Sequence, residues 1–195
     1  SLNHIFGSSD GNWLVPALHV VCRNTHRIAA ACDEENESNS TKQQQQSKMQ
    51  NAVNLIQESF SRCLNDRKEY QPNAPLSEEG SKKAGVLYVV NQLFSMYFRL
   101  NTLRLCKNIL RPVESRNLHT SGRMGDMVTY RYYVGRLYMF EDHYDLAEEN
   151  LDYALTHCRK DALSNKRCIL RYLVPVKMLR GRLPTTTLLE KYNLK

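Results

Sequence analysis

Apolar residues along this chain recur at steps of three and four, which is the period of an amphipathic helix. One regular run places its apolar side chains on a single helical face, at Met49, Val53, Ile56, Phe60 and Leu64. The same period predicts eight helices, at residues 13–32, 47–64, 81–100, 103–110, 126–140, 144–158, 164–181 and just after 184. No hairpin or strand repeat accompanies them. The pattern therefore predicts an all-α protein built from helix pairs.

Polar or proline-containing segments separate the predicted helices. Residues 33–47 (DEENESNSTKQQQQS) are polar throughout and have nothing to bury, which predicts a flexible loop. Pro112 is expected to end the fourth helix, with a loop over 112–125. Pro175 lies inside the seventh helix, so we expect a kink or a break over 171–174.

Short polar residues mark the helix starts, because their side chains can cap the first backbone N–H groups. The expected caps are Asp10 or Asn12, Ser77, Asp126, Ser164 and Thr185. The apolar period assigns a buried stripe to the first helix: Leu14, Leu18, Val21, Cys22, Ile28 and Cys32. It assigns a solvated acidic face to the sixth helix: Asp145, Glu148, Glu149 and Asp152.

Small and aromatic residues between positions 132 and 154 have the spacing of a tetratricopeptide helix hairpin. They are Gly135, Tyr138, Tyr144, Ala147, Leu151 and Ala154. In that repeat the small residues let two antiparallel helices approach closely, while the large ones fill the groove towards the next pair. The pattern predicts a scaffold of stacked helices and not a catalytic pocket.

Length and composition suit one helical body. The chain has 195 residues and 42% hydrophobic content, enough for a sizeable core. No apolar run approaches the ~20 residues that span a bilayer, and the N-terminus lacks the regions of a secretory signal. We expect a soluble chain of the cytosol or nucleus, without membrane contact. The missing initiator Met indicates that the sequence starts inside a larger protein.

Catalytic and metal-binding patterns are not evident. The six cysteines are scattered without a CxxC pair, which is typical of small buried side chains in a reducing compartment. There is no glycine loop for phosphate, no GxSxG and no HExxH motif. We therefore expect no cofactor, no metal and no enzymatic activity.

Positive charge is concentrated at the C-terminal end. Residues from Arg159 to Lys195 include ten Lys and Arg against Asp161 and Glu190, a net charge of +8, whereas the whole chain carries +7. The candidates for contact with nucleic acid or an acidic partner are Lys166, Arg167, Arg171, Lys177, Arg180 and Arg182. Several of these recur at helical spacing and can share a face opposite the apolar residues. A plain solvated face is the alternative, and the pattern leaves the choice open.

Tyrosines cluster just before this basic end, at Tyr130, Tyr132, Tyr133, Tyr138, Tyr144 and Tyr153. Aromatic rings can stack on nucleic-acid bases. Helical packing accounts for at least half of the cluster, because Tyr138 and Tyr144 occupy core positions of the hairpin pattern.

Three segments carry a resemblance to a known family. They are residues 85–111, 128–158 and 165–194, and the last contains the most specific part, 166–179 (KRCILRYLVPVKML). They resemble the PCI-domain proteins of the nuclear-pore-associated transcription and mRNA-export complex, the Thp type. The similarity begins near Asn12 and continues to the end of the chain.

The resemblance implies a right-handed superhelix of helix pairs, the TPR-like part of a PCI module over residues 1–195, with a winged helix expected beyond 195. It implies two protein partners, a large scaffold subunit and a small acidic subunit. It also implies RNA or single-stranded nucleic acid on a jointly built basic surface. The implied location is the nucleus at the nuclear pore, with the cytoplasm as a further possibility.

Three functions are compatible with this sequence. The first is a non-catalytic scaffold subunit for mRNA export, and the second is a PCI subunit of a proteasome-lid or signalosome type assembly that binds no RNA. The third is a free-standing tetratricopeptide module that holds a peptide in its groove.

Overall fold

The computed structural model describes residues 2–8, 11–38, 48–71, 77, 79–120 and 122–194. These residues form α-helices, two short 3₁₀ turns and connecting loops, with no β-strand within these ranges. The all-α class is confirmed. The chain divides into two compact units, Ser1–Gly122 and Arg123–Lys195, whereas the sequence analysis treated it as one helical part.

The first unit contains five helices among its described residues. They are α1 (Leu2–Ser8), α2 (Val15–Ser38), α3 (Lys48–Leu64), α4 (Val86–Arg99) and α5 (Arg104–Ser115). The 3₁₀ turns lie at Lys82–Gly85 and Leu118–Thr120. Helix α4 is apolar on most sides and buries Val89, Val90 and Leu93 completely, because α2, α3 and α5 all contact it. Helix α1 was not predicted.

Helix α2 extends further than its apolar pattern indicates. Residues 33–38 continue the helix, although the sequence analysis placed them in the polar loop, and residues 39–47 lie outside the described part of the chain. The Asp33 carboxylate accepts hydrogen bonds from the backbone N–H groups of Lys48 (2.9 Å) and Met49 (3.1 Å). Asp33 therefore caps the start of α3 from within α2.

The inner face of α2 differs from the predicted stripe. Leu18, Cys22 and Ala29 are buried, whereas Val21 and Ile28 are 42% and 63% exposed. The prediction followed every apolar residue, but α3 and α4 cover only one side of this helix.

Two further predictions of helix ends in this unit were wrong. Pro112 lies inside α5, which continues to Ser115. Ile109 and Val113 lie on either side of the proline, and because both are buried, their packing holds the helix in place. The side-chain cap in this region is Ser81, whose hydroxyl accepts from the Lys83 N–H and caps the 3₁₀ turn that leads into α4. Ser77 instead pairs with the buried Asn12, whose Oδ1 accepts from the Ser77 N–H over 2.8 Å. The other candidate cap, Asp10, lies outside the described residues.

The second unit contains four helices in the part that the structure describes. They are α6 (Met124–Phe140), α7 (Tyr144–His157), α8 (Leu163–Leu179) and α9 (Thr186–Lys191). Helix α7 packs against both α6 and α8. The core of the unit consists of Ala147, Leu151, Ala154, Cys158, Ile169, Leu170, Leu173 and Val176.

Helices α6 and α7 approach closely at Gly135. A Cβ atom added there would lie 2.7 Å from Leu151 Cγ and 3.2 Å from the Ala147 carbonyl oxygen. Ala147, Leu151 and Ala154 are fully buried, while Tyr138 and Tyr144 are half-buried at the edge of the same contact.

Of the three helix caps predicted in this unit, only one is confirmed. Arg123, not Asp126, precedes α6, and Asp126 lies in the first turn of the helix. Burial raises the pKa of the Asp126 carboxyl, although the positive charge of Arg123 acts to lower it. Ser164 likewise falls inside the first turn of α8. Thr185 caps α9 as predicted, since its hydroxyl accepts from the Leu188 N–H.

Helix α8 continues through Pro175 without the predicted break. Pro175 is on the exposed face, where water can bond to the Arg171 carbonyl that the missing N–H leaves free. The buried Leu173 and Val176 hold the helix on either side. The helix ends before Gly181, whose φ of 78° lies in the left-handed region that glycine adopts without strain.

Candidate functional site

The six basic candidates do not form one surface. Arg167 and Arg171 are four residues apart and exposed, on the face of α8 opposite its buried side chains. Lys166 and Lys177 are half-buried at the margins of the core face. Arg180 and Arg182 follow the helix. Helical spacing alone suggested a common stripe, but the structure separates the candidates into two groups.

Three of the six converge on the acidic residues of α7. Lys177 Nζ lies 2.8 Å from Asp152 Oδ1 and 3.8 Å from Glu148 Oε1. Arg182 contacts Glu148 through both Nη atoms, at 2.8 and 2.9 Å. Arg180 donates to Glu148 as well, and its second Nη atom lies 2.6 Å from Asp145 Oδ1. We call this set the acid–base cluster: Asp145, Glu148, Asp152, Lys177, Arg180 and Arg182.

Glu148 is the centre of the acid–base cluster. Its side chain is only 6% exposed, although the sequence analysis placed it on a solvated face beside Glu149. Local periodicity missed the burial, because the two arginines that cover Glu148 come from 32 and 34 residues later in the chain. Glu149 is exposed as predicted.

The acid–base cluster changes the electrostatics of the C-terminal end. Three carboxylates and three cations compensate one another within it, and a buried carboxylate needs such partners. Lys177, Arg180 and Arg182 therefore stabilise the contact between α7 and the end of α8. They contribute less to a long-range positive field than the charge count indicates.

Arg167 and Arg171 remain available for an external partner. Neither makes an ion pair or a hydrogen bond with any residue that the structure describes. The nearby acid Asp161 is bound by Arg159, at 2.6 Å. A pair of exposed guanidinium groups on one helical face can bind phosphate or carboxylate groups.

The tyrosines are largely engaged inside the second unit. Tyr130 is buried, and the rings of Tyr138 and Tyr153 stack on His143 and His157. The hydroxyl of Tyr144 donates to Asp142. These contacts favour the packing interpretation over base stacking.

Arg136 organises the remaining tyrosines. Its guanidinium carbon lies 5.3 Å from the ring centre of Tyr132, 5.8 Å from that of Tyr133 and 4.4 Å from that of Tyr172. Burial raises the pKa of Tyr132 to about 12, with the positive charge of Arg136 opposing the rise. This cation–π group packs α6 against α8.

The chain is similar to several known proteins that are longer than it is. No protein-family model matches the chain. It is 39% identical to PCI domain-containing protein 2 of Danio rerio over 183 residues, which are 94% of this chain and 44% of that protein. The homolog of that protein in Drosophila melanogaster is 37% identical, over 95% of this chain and 44% of its own length. Protein CSN12 homolog of Neurospora crassa is 36% identical, with coverage of 92% and 42%.

The first two relatives are PCI domain-containing proteins by name, and the similarity covers 94% and 95% of this chain. The chain spans less than half of the length of these relatives, at 44% of the first two. The names of the relatives specify neither an RNA nor a complex for this chain.

Within the described ranges, no group of three or more His, Cys, Asp or Glu side chains could hold a metal ion. None of the helices described combines the length and apolar character required to cross a bilayer.

Proposed function

We propose that this chain is the helical part of a PCI-type, non-catalytic scaffold subunit of a transcription-coupled mRNA export complex at the nuclear pore. The proposed protein partners are a large scaffold subunit and a small acidic subunit, and the complex also binds RNA or single-stranded nucleic acid. The observation that carries the nucleic-acid part is the exposed pair Arg167 and Arg171 on α8, without an acidic partner in the described chain.

The scaffold part of the proposal is supported by how the second unit is built. Its core joins small residues of α7 to apolar residues of α8. The acid–base cluster then ties the segment after α8 back to α7. Such an arrangement fixes the exposed face of α8 relative to the rest of the unit, and a fixed face suits recognition better than a mobile one.

The nucleic-acid contact is smaller than the sequence analysis expected. Arg167 and Arg171 provide it, with Lys166 at its edge, whereas Lys177, Arg180 and Arg182 are bound to the acids of α7. Two or three phosphate contacts on a single strand correspond to a slope of about −1.4 to −2 in log K against log salt. This chain therefore supplies part of a surface that a larger subunit completes.

Charge reversal at the exposed pair tests the proposal. The full-length protein is assembled with its scaffold subunit, and its affinity for a labelled single-stranded RNA is measured by anisotropy at 50 and 200 mM salt. The double variant R167E/R171E is expected to bind at least tenfold more weakly at the lower salt concentration.

A matched control separates a local contact from net charge. Arg104 and Arg111 of α5 are also exposed, so R104E/R111E changes the total charge by the same amount. We expect this control to change the affinity by less than about threefold, since it acts only through the screened long-range field. Equal losses in both double variants, or no loss in either, would overturn the nucleic-acid proposal.

A second candidate function is a PCI subunit of a proteasome-lid or signalosome type assembly that binds no RNA. The relatives named CSN12 homolog favour it. In that case the complete assembly shows no RNA binding even at 50 mM salt, and R167E/R171E weakens the attachment of a protein subunit instead.

A further inference from the structure

Helix α2 has two apolar faces, and only one of them belongs to the core. Leu18, Cys22 and Ala29 face inwards and are buried. On another side of α2, apolar residues recur at steps of three, four and seven and are all exposed. We call them the outer stripe: Ala17, Val20, Val21, Ile28 and Ala31.

The outer stripe is unusual for a surface helix, which typically carries polar residues there. Val20, Val21 and Ile28 are 47%, 42% and 63% exposed, and β-branched side chains give a helix no propensity advantage. All five side chains of the outer stripe are exposed. Single exposed apolar residues are ordinary, but a row of them along one helical face marks a contact surface.

Two arginines border the outer stripe on one side. Arg23 and Arg27 are four residues apart and exposed, and neither makes an ion pair or a hydrogen bond in the part of the chain that the structure describes. The exposed residues of α2 between positions 15 and 34 include one carboxylate, Glu34, and it is bound by Arg99 at 2.5 Å. The surface is therefore apolar except for the exposed Asn24 near its middle, and it is positive along one edge.

We propose that the outer stripe of α2 binds an amphipathic helix of a partner chain whose apolar side chains are flanked by Asp or Glu. Residues 17–31 span about 21 Å of helix, which corresponds to about four turns of a partner helix. The apolar side chains pack between the helices, while the carboxylates pair with Arg23 and Arg27.

Charge complementarity selects this occupant over a second copy of the chain. Two outer stripes packed together would bring the same arginine edges into the contact, with no free described carboxylate on α2 to meet them. An acidic partner helix satisfies both guanidinium groups. The inference rests on the scaffold role proposed above, but it does not depend on the RNA contact at α8.

Designed peptides can test the surface in the full-length protein. One labelled 16-residue helical peptide carries leucines at steps of three and four with glutamates at the flanking positions. A second peptide has the same leucines and replaces each glutamate by lysine. Anisotropy titration at 50 mM salt measures both affinities. We expect the glutamate peptide to bind at least tenfold more tightly than the lysine peptide.

Paired variants assign the binding to α2. Ile28→Glu is expected to weaken the glutamate peptide at least tenfold, with Val20→Glu as a second apolar variant. R23E/R27E is expected to reverse the preference towards the lysine peptide. The controls are Leu55→Glu on α3, where Leu55 is 55% exposed, and R104E/R111E on α5, and both should stay within about twofold of the wild type.

Three results would overturn the inference: no saturable binding of the glutamate peptide, equal losses in the α2 variants and their controls, or sedimentation that shows a dimer which Ile28→Glu converts to a monomer. The last result would assign the stripe to a second copy. The RNA titration described above reports on α8 separately, so failure of one proposal leaves the other distinguishable.

Discussion

Arg182 and Glu148 are 34 residues apart in the chain, yet the Arg182 guanidinium binds the Glu148 carboxylate with both of its Nη atoms, at 2.8 and 2.9 Å. The glutamate is nearly buried on α7, whereas the arginine belongs to the segment after α8 and is 56% exposed. Bidentate pairing of this kind fixes orientation as well as distance. It makes Glu148 the residue on which the end of the second unit depends.

Removing the charge of Glu148 is expected to destabilise the second unit. Glu148→Gln leaves Arg180 and Arg182 without their shared carboxylate, and we expect a loss of about 1–3 kcal/mol in the free energy of unfolding because both arginines are partly solvated. Urea unfolding followed by circular dichroism measures it. Glu149→Gln is the control, since its side chain is exposed, and should change stability by less than about 0.5 kcal/mol. Equal effects at the two positions would contradict the cluster.

A methyl group at Gly135 should disrupt the contact of α6 with α7. The added Cβ would lie 2.7 Å from Leu151 Cγ, so Gly135→Ala is expected to cost about 1–3 kcal/mol despite the better helix propensity of alanine. Gly125, in the first turn of α6, has no atom within 4 Å of the same added group. Gly125→Ala should therefore be neutral or stabilise by up to about 1 kcal/mol. Thermal melts of both variants compare them, and a neutral Gly135→Ala would refute the close approach.

Asp66 should contribute a pH-dependent part of the stability of the first unit. Burial opposes its ionisation, but hydrogen bonds from the Lys82 N–H (2.7 Å), the Ser81 hydroxyl (3.0 Å) and the Lys68 N–H outweigh burial and hold its pKa below the usual value. A lowered folded-state pKa stabilises the protein above the unfolded pKa of about 3.9, and the contribution is lost as the pH falls towards the folded value.

The variant Asp66→Asn makes this measurable. Because Asp66 is partly solvated, we expect the variant to be only about 1 kcal/mol less stable than the wild type from pH 7 down to about 5, with a difference that shrinks below about pH 4. Urea midpoints at pH 7, 5 and 3 give the comparison. The exposed Glu69 on the same connection provides the control Glu69→Gln. A constant difference at all three pH values would show that the Asp66 charge is not responsible.

Lys82 should hold helix α1 against the rest of the first unit. Its buried Nζ donates to the Phe6 carbonyl oxygen over 2.7 Å and lies 5.1 Å from the centre of the Phe6 ring. Lys82→Met keeps the aliphatic volume but leaves that carbonyl without its donor. Hydrogen exchange of the α1 amides is expected to accelerate about tenfold or more. In the exposed control Lys160→Met, the rates in α1 should stay unchanged.

The sequence predicted a helix correctly where its apolar period was regular and where the helices that pack against it are close to it in the chain. Helices α3 and α7 match the predicted ranges within one residue at each end. Each buries one regular face, which includes Val53 and Ile56 in α3 and Ala147 and Leu151 in α7. Helix α1 was missed because its burial depends on distant partners. Asn3 Nδ2 donates to the Leu55 carbonyl oxygen over 3.2 Å, a contact between residues 52 positions apart.

The candidate site was harder to predict for the same reason. The basic residues of α8 were visible in the sequence, but their division into a paired and an exposed group depends on which acids of α7 lie opposite them. Helical spacing placed Glu148 and Glu149 on one acidic face. Only the packing of α7 against α8 shows that Glu148 points towards Arg180 while Glu149 faces solvent.

The cap that Asp33 forms on α3 has a practical consequence. Since Asp33 accepts hydrogen bonds from the N–H groups of Lys48 and Met49, the C-terminal part of α2 and the start of α3 are joined by side-chain contact as well as by the chain between them. An affinity tag or a protease site inserted within residues 39–47 should therefore leave this helical pair intact.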